Sequence, residues 1–369
     1  MTENDPNSPI PGPSPFPAGP PAKKSVRMVE VARLAGVSQQ TVSRVVNGNP
    51  NVGKDVFRRV DEAIRQLDYR PNKAARALAT NRSMNLGVIS FGLAQYGPSV
   101  ALFGIAEEAR RHGYATSLVT LGDVDKRTIQ SALDHLTATS VDGVLVLAPV
   151  QAARVALSGM DYGIPLVVFD PGSEGLPNHV AVDEVRGARL ATRHLLELGH
   201  ETVWHVRGPA GWTGAEARVR GWAAELSAQH RFAPDTFDGD WTSESGYRAG
   251  QLVAADPRIT AVLVANDQMA LGLMKALSEN AVHIPGDVSV VGFDDIPESA
   301  YFRPSLTTVR LDFDEVGSRA FDRILDLMKG ARTDDPIPLI ASDLILRDTT
   351  GPPPSRARGQ QTQVTRKDQ

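Results

Sequence analysis

The sequence contains no cysteine among its 369 residues. Disulfides, thiolate metal sites and cysteine nucleophiles are therefore excluded, and the composition suits a reducing compartment. No stretch approaches the roughly 20 continuous apolar residues of a membrane span, and the N-terminus lacks the basic and then apolar order of a signal peptide. These absences predict a cytoplasmic protein.

The sequence also lacks the short motifs of common α/β enzymes. It has no phosphate-binding Walker loop, no dinucleotide glycine fingerprint after the first predicted strand, no HExxH and no Gly-x-Ser-x-Gly elbow. Asp294 and Asp295 are adjacent carboxylates, but neighbouring residues on a turn after a strand usually diverge. We therefore expect no catalytic residues, no metal and no cofactor.

Both ends of the chain have few large apolar side chains. Residues 1–25 are rich in proline, and residues 351–369 begin with three prolines and continue with polar and basic residues. Such segments cannot bury enough surface to offset chain entropy, so we expect both to be disordered. The C-terminal tail has no apolar heptads, which excludes a coiled-coil assembly helix and predicts a dimer rather than a tetramer.

The net charge of -4 hides an uneven distribution. Residues 23–83 carry 13 Lys+Arg against 5 Asp+Glu, a net charge of +8, whereas residues 84–350 carry -13. A compact basic module beside an acidic body is typical of a domain that binds a polyanion, attached to one that avoids polyanions. Charge alone leaves the identity of that polyanion open.

Residues 26–71 show helical spacing of apolar residues. Val29, Ala32 and Leu34 predict the apolar face of a first helix, which Gly36 ends. Ser38 is a suitable N-cap for a second helix, whose valines face one way and which stops at Asn47. A third helix is predicted over about residues 54–67. Two short helices joined by a tight turn have the form of a helix-turn-helix, in which the second helix enters the major groove of DNA.

Residues 84–350 alternate short apolar runs with amphipathic stretches. The runs are rich in Val, Leu and Ile and are bounded by Gly, Pro or Asp, as in buried parallel strands. This alternation predicts two doubly wound α/β lobes of parallel sheet. We expect the N-terminal lobe over about 84–181 with 311–341, and the C-terminal lobe over about 182–310 with 342–350.

Several segments together resemble one known family. The run VEVARLAGVS at 29–38, QQTVSRVVN at 39–47 and YRPN at 69–72 resembles the headpiece of the lactose-repressor/galactose-repressor (LacI/GalR) family. The resemblance continues through VLVANDQMALG at 262–272, VVGFDD at 290–295 and PSLTTV at 304–309. It covers roughly residues 26–350. It implies a helix-turn-helix headpiece, a hinge helix over 72–83 and a core like the periplasmic sugar-binding proteins.

The resemblance assigns DNA contacts in the headpiece and hinge. Gln can pair bidentately with adenine and Arg with guanine in the major groove, and the family places base contacts at Gln39, Gln40 and Arg44. Leu78 is expected to wedge into the minor groove and kink the duplex. The full set of expected DNA-binding residues is Ser38, Gln39, Gln40, Thr41, Ser43, Arg44, Asn47, Asn72, Ala75 and Leu78.

The resemblance also implies a sugar site between the two lobes. Vicinal hydroxyls need paired donors and acceptors, and the apolar face of a sugar needs an aromatic platform, here Trp241. The expected ligand-binding residues are Asp170, Arg218, Trp241, Asn266, Asp294 and Phe313. Gly239–Trp241 favours a galactoside. Leu311 and Val182 depart from the galactoside-binding pattern, which carries a polar and an aromatic residue there.

These features predict a nucleoid-associated repressor of a sugar-utilisation operon, bound to a palindromic operator as a homodimer and released by a small sugar. A corepressor-dependent regulator or an activator of the same family remains an alternative. A cytoplasmic sugar-binding protein without a DNA role is the alternative from another class, and the basic headpiece speaks against it. A sugar dehydrogenase or kinase is disfavoured by the missing phosphate-binding loops.

Overall fold

A computed structural model describes residues 26–46, 51–69, 82–171, 178–331 and 335–355. The chain divides into two compact units, residues 1–81 and 82–369. The predicted hinge helix over 72–83 lies almost wholly outside the described residues, as do the N-terminal extension and most of the C-terminal tail. None of the described helices is long and apolar enough to cross a membrane.

The first unit contains three helices: α1 (Met28–Ala35), α2 (Gln39–Val46) and α3 (Lys54–Gln66). Gly36 ends α1 with a positive φ of 65°, a conformation that glycine adopts without steric cost. A small core forms where the helices meet, and its buried members are Val31, Ala32, Ala35, Val42, Val45, Val60, Ala63 and Tyr69.

The predicted apolar face of α1 was wrong in two of its three members. Val29 and Leu34 are 39% and 47% exposed, whereas Val31 and Ala35 are buried beside Ala32. Residues 31 and 35 are four apart and so lie on the same side of a helix. That side packs against α3. Helix α1 has apolar residues on both sides, and only the side that packs against α3 is buried.

The second unit contains two sheets, as predicted. The first has the strand order β2-β1-β3-β4-β5 and is parallel throughout. Its strands are β1 (Asn85–Ser90), β2 (Ala115–Thr120), β3 (Gly143–Leu147), β4 (Leu166–Phe169) and β5 (His179–Val180). Its helices are α4 (Tyr96–Arg111), α5 (Lys126–Ala138) and α6 (Gln151–Leu157).

The second sheet has the order β11-β10-β9-β8-β6-β7, and only the β10–β11 pair within it is antiparallel. Its strands are β6 (Trp204–Arg207), β7 (Phe237–Asp238), β8 (Ala261–Val264), β9 (Ser289–Asp294), β10 (Thr307–Leu311) and β11 (Ser342–Ile345). The later helices are α7 (Glu184–Glu197), α8 (Thr213–Ala228), α9 (Ser243–Ala255), α10 (Asp267–Glu279) and α11 (Phe313–Met328).

The chain passes between the two lobes more than once. After β5 it enters α7, which packs on β10 and β11 of the second sheet. After β10 it returns through α11, which packs against α4 of the first lobe, with Gly104 and Gly317 in close backbone contact. A bridge between Val182 and Ile340 joins two of the connecting segments. Such multiple connections leave a cleft between the lobes.

Candidate functional site

Helix α2 presents a polar side that is available for contact. Gln39, Gln40 and Arg44 are exposed, while Val42 and Val45 on the opposite side are buried. Three polar side chains therefore project from a helix that its valines hold in place. Their donors and acceptors suit base edges in the major groove.

The start of α2 is organised by its own side chains. The Ser38 hydroxyl accepts the Thr41 backbone N–H at 3.1 Å and lies 2.9 Å from the Thr41 hydroxyl. Capping by serine satisfies one of the N–H groups that a helix start leaves free. Ser43 is half-buried beside this end. Asn47, Asn72, Ala75 and Leu78 lie outside the described residues.

The second unit holds a cavity between its two lobes. The space in this cavity that a water-sized sphere can reach is about 50 Å³, and the empty space together with its open mouth is about 470 Å³. Five of the six predicted ligand residues line it: Arg218, Trp241, Asn266, Asp294 and Phe313. The other lining residues are Gln95, Tyr96, Gly97, Pro98, Pro149, Phe169, Pro171, Glu184, Trp212 and Gly214.

The two walls of the cavity differ in chemistry because different lobes supply them. The first lobe and α11 contribute mainly rings and prolines, among them Tyr96, Phe169 and Phe313. The Phe313 ring lies 6.2 Å from that of Tyr96 and 6.5 Å from that of Phe169, edge to face in both pairs. The second lobe contributes the charged groups and the Asn266 amide, together with the rings of Trp212 and Trp241, while the first lobe adds the Gln95 amide. An apolar wall opposite a polar wall suits a ligand with one apolar face and several hydroxyls.

Arg218 is the centre of the polar wall. It projects from α8 and its side chain is only 8% exposed. Its Nε donates to Glu184 Oε2 at 2.7 Å, one terminal nitrogen donates to Asp294 Oδ1 at 3.2 Å, and the other donates to the Ala265 carbonyl. The guanidinium also stacks on Phe293, 4.1 Å from the ring centroid. A buried guanidinium needs such pairing to offset its desolvation.

Two carboxyl groups near Arg218 have perturbed acidity. Burial raises the pKa of Asp294 to about 7, although the neighbouring Arg218 opposes the shift. Burial likewise raises the pKa of Asp267 to about 6, against hydrogen bonds donated by Ser299 and Thr308 at 2.6 Å each. Both shifts arise mainly from burial, and Arg218 offsets only part of the shift at Asp294.

Asn266 follows β8 and begins α10. Its Oδ1 accepts the Met269 backbone N–H at 2.9 Å, and its Nδ2 donates to the Trp241 carbonyl at 3.1 Å. The amide therefore caps a helix and fixes the backbone of Trp241 at the same time. One residue links two parts of the cavity wall.

Trp241 is held in an unusual backbone conformation. Its φ is +73°, a region that side chains other than glycine seldom adopt. Asp294, with φ of +101°, shares this feature. Trp241 is buried, and within the described ranges its indole Nε1 has no hydrogen-bond acceptor. Strained residues gather at functional sites, and this buried N–H is available to donate to a ligand in the cavity.

Asp170 lies between two lining residues, Phe169 and Pro171, but does not itself belong to the lining set. It directly follows β4 and is buried. An Arg154 nitrogen lies 4.0 Å from its Oδ2. The two departures from the galactoside pattern, Val182 and Leu311, are also buried outside the lining set.

Ten lining residues were not predicted from the sequence, and Glu184 and Trp212 are two of them. Glu184 was missed because an acidic residue at a helix start normally interacts with the helix dipole in solvent. Trp212 was missed because it follows a Pro-Ala-Gly turn with no periodic pattern. Its ring packs at 5.7 Å from Trp241 and at 5.8 Å from Phe91 of the first lobe. A lone tryptophan in a glycine-rich turn was the available signal.

Comparison with known proteins identifies the family. A family model described as bacterial regulatory proteins, lacI family, matches residues 27–72, and one described as a periplasmic binding protein-like domain matches residues 192–350. The lactose operon repressor of Escherichia coli (strain K12) is 33% identical over 309 residues, which cover 83% of this chain and 86% of that protein. The chain belongs to the lacI family of bacterial regulatory proteins.

Other lacI-family proteins show the same similarity. The repressor PurR of Glaesserella parasuis is 32% identical over 303 residues, covering 80% of this chain and 88% of that protein. The crystal structure of the Lac repressor dimer bound to operator and the anti-inducer ONPF has a TM-score of 0.78 at 32% identity, covering 89% of this chain and all of that one. The CelR–cellobiose complex has a TM-score of 0.64 at 26% identity, covering 88% and 99%.

This lacI-family chain is accordingly a DNA-binding transcriptional regulator and not an enzyme. The helix-turn-helix headpiece and the two parallel α/β lobes predicted from the sequence are confirmed.

Proposed function

We propose that the chain represses a sugar-utilisation operon by binding a palindromic operator as a homodimer, and that a small sugar, a galactoside in the first instance, releases it. The observation that carries the proposal is the cavity between the two lobes. It gathers five residues predicted for sugar binding in a chain that also has an exposed polar helix for DNA.

Relatives support each part of this proposal. One related structure is a Lac repressor dimer bound to operator, and another is the regulator CelR with cellobiose. Two half-sites read by two headpieces account for a palindromic operator, since one short helix has too small a footprint for useful specificity. The proposed setting is the cytoplasm, at the nucleoid.

The proposed contacts follow the chemistry of each unit. In the headpiece, Gln39, Gln40 and Arg44 read base edges, while the hydroxyls and Asn47 bind phosphates. Asn72, Ala75 and Leu78 contact the minor groove. The proposed division remains a headpiece over 26–71, a hinge over 72–83 and a core over 84–350, between an N-terminal extension over 1–25 and a tail over 351–369.

In the core, Trp241 and Phe313 face the apolar side of the sugar, and Arg218, Asn266 and Asp294 face its hydroxyls. Asp170 keeps a supporting role behind the cavity. A sugar bound between the apolar and polar walls draws the lobes together. If this releases the operator, thermodynamic linkage requires sugar and operator to weaken each other's binding affinity by the same factor.

The test uses the full-length protein. Bound sequences are selected from a randomised pool of double-stranded DNA, and affinity for the enriched sequence is measured with and without lactose, isopropyl thiogalactoside and cellobiose. We expect a palindromic consensus and weaker binding with one of these sugars. The absence of any enriched sequence would refute the DNA role, and a sugar that strengthens binding would establish a corepressor instead.

Calorimetric titration of the same sugars tests the cavity itself. Trp241→Phe removes the unpartnered indole N–H but keeps an aromatic ring, so sugar affinity is expected to fall by roughly tenfold, the value of about one hydrogen bond. Trp204→Phe is the matched control, because Trp204 stacks on Phe237 outside the cavity. Equal sugar affinities in the two variants would contradict the proposed site.

A further inference from the structure

The charge of the cavity wall restricts the ligands that it can accept. Among the described residues that line the cavity, Arg218 is the one Lys or Arg side chain, and Glu184 and Asp294 are the carboxylic acids. Both carboxyl groups are buried, at 4% and 7% exposure. Buried Asp267 adds a third carboxyl group directly behind the wall.

Arg218 is already engaged before any ligand arrives. Its Nε and both terminal nitrogens donate to Glu184, Asp294 and the Ala265 carbonyl. An arginine binds phosphate or carboxylate tightly when its planar fork faces the anion with two free parallel N–H groups. Here the Nε and the Nη2 of that fork donate to two different buried carboxyl groups, so an incoming anion would compete with them for the same side of the guanidinium.

Glu184 is built into this arrangement by the fold. It is the first residue of α7, where the positive end of the helix dipole stabilises a carboxylate. Gly214 on α8 gives it space, since a Cβ at position 214 would lie 2.8 Å from Glu184 Oε2. Any residue larger than glycine at 214 would push this carboxylate away from Arg218.

We propose, on the basis of the sugar-effector function above, that the cavity selects an uncharged polyhydroxylated ligand and rejects phosphorylated and carboxylated sugars. Glu184 is the specificity-determining residue, because it occupies the Arg218 Nε that an anionic ligand would need.

The electrostatic reason is the repulsion between like charges in a poorly solvated site. A sugar phosphate would add up to two negative charges beside Glu184 and Asp294, with one guanidinium to balance them. Burial is the main cause of the raised pKa of Asp294, about 7, and the neighbouring Asp267 and Glu184 carboxylates raise it further. Hydroxyls carry no such penalty and can donate to these carboxylates.

The experiment compares matched neutral and anionic ligands on the full-length protein by calorimetry. The pairs are galactose with galactose 6-phosphate, glucose with glucose 6-phosphate, and galactose with galacturonate. We expect the neutral member of a bound pair to bind at least about 100-fold more tightly than the anionic one. Inorganic phosphate alone is expected to give no heat of binding.

Glu184→Gln distinguishes charge from shape. The amide has the same size, so a steric rejection of the phosphate would be unchanged, whereas a charge-based rejection would weaken by roughly tenfold. Glu197→Gln is the control, since it makes the same change at the exposed end of α7. An unchanged ratio in Glu184→Gln would overturn the role of Glu184.

The outcomes separate this inference from the proposed function. If an anionic sugar binds as tightly as its neutral partner and releases operator DNA, the inference is wrong and the sugar-released repressor stands. If no sugar of either kind binds while operator binding persists, the sugar effector itself is wrong and the inference falls with it.

Discussion

Helix α2 of the headpiece, which we propose reads DNA, and the cavity of the core use polar side chains in opposite ways. On α2, Gln40 and Arg44 are exposed. In the cavity, Arg218 and Asn266 are buried, and their hydrogen bonds hold together elements that are distant in sequence. The polar side chains proposed to bind DNA are therefore not needed for folding. The polar side chains proposed to bind the ligand also stabilise the folded core.

This difference determines which properties a substitution in each unit is expected to change. A change on α2 should alter DNA binding while the protein stays folded. A change at a buried polar residue of the cavity should alter ligand binding and stability together, because a removed partner leaves other buried groups unpaired. Four tryptophans make the two units distinguishable, since all of them lie between residues 204 and 241 of the second unit. Their fluorescence reports unfolding of the core.

Arg218→Ala is expected to have the largest effect. It leaves Glu184 and Asp294 without their shared cation, and breaking such a buried pair costs about 3–5 kcal/mol of unfolding free energy. Sugar binding is expected to be lost as well. Denaturant unfolding followed by tryptophan fluorescence measures the cost.

Arg220→Ala is the matched control for Arg218→Ala, because Arg220 is exposed on the same helix two residues later. We expect it to leave both the stability and the sugar affinity within error of the parent protein. A stable Arg218→Ala that merely fails to bind sugar would contradict the view that site and fold are inseparable in the core.

Gln40→Ala is expected to have the second-largest effect. A bidentate contact to a base contributes about 1–3 kcal/mol, so operator affinity is expected to fall by roughly tenfold or more. Sugar affinity and core unfolding should not change. Gln66→Ala, at the exposed end of α3, is the control. Undiminished operator affinity in Gln40→Ala would remove this side chain from the reading surface.

The pH dependence of core stability is the smallest expected effect. Because burial raises the pKa of Asp294 to about 7, the folded state holds a proton that the unfolded chain releases near its ordinary value of 3.8. Between these values the folded state binds more protons, so this group makes the core less stable as pH rises, by roughly 1.4 kcal/mol per pH unit. Groups of opposite sign offset part of this change, which makes the net effect small. Above the folded pKa the effect levels off.

The contribution of Asp294 to the pH dependence of stability is obtained by comparing the parent protein with a variant that lacks this carboxyl group. Burial lowers the pKa values of His200 and His205, and those groups act in the opposite direction, so that their contribution raises stability as pH rises. Unfolding free energies at about pH 5 and about pH 8 are therefore compared between the parent protein and Asp294→Asn. We expect the variant to lose less stability, or gain more, over this interval. The exposed Asp314→Asn should behave like the parent.

Much of the fold was predictable because its signals are local. The strands β1, β3, β8 and β9 are short segments rich in Val, Leu and Ile, and such segments are typical of buried parallel strands. The stop at Gly36 and the cap at Ser38 also depend only on neighbouring residues. The helix-turn-helix could therefore be located to within a few residues.

Strand β10 illustrates what the local signal missed. Its sequence begins with Thr307 and Thr308, both fully buried, and neither suggests a central strand. Asp267 accepts the Thr308 hydroxyl, and the Thr349 hydroxyl accepts the Thr307 backbone N–H at 2.8 Å. The hydrogen-bond partners of the two threonines lie some forty residues away in the sequence, so no local pattern near the strand predicts them.

The sequence by itself determined the two kinds of unit, the helix that reads DNA and the residue types available for a ligand. These follow from periodicity, capping, charge and recognised motifs, all of which act over short distances along the chain. Only the tertiary structure decided that Glu184 and Asp294 share one guanidinium, that Trp212 joins the cavity and that Asp170 does not line it. The reason is that such contacts join residues far apart in sequence, and their energies depend on a burial that exists only after the lobes have formed.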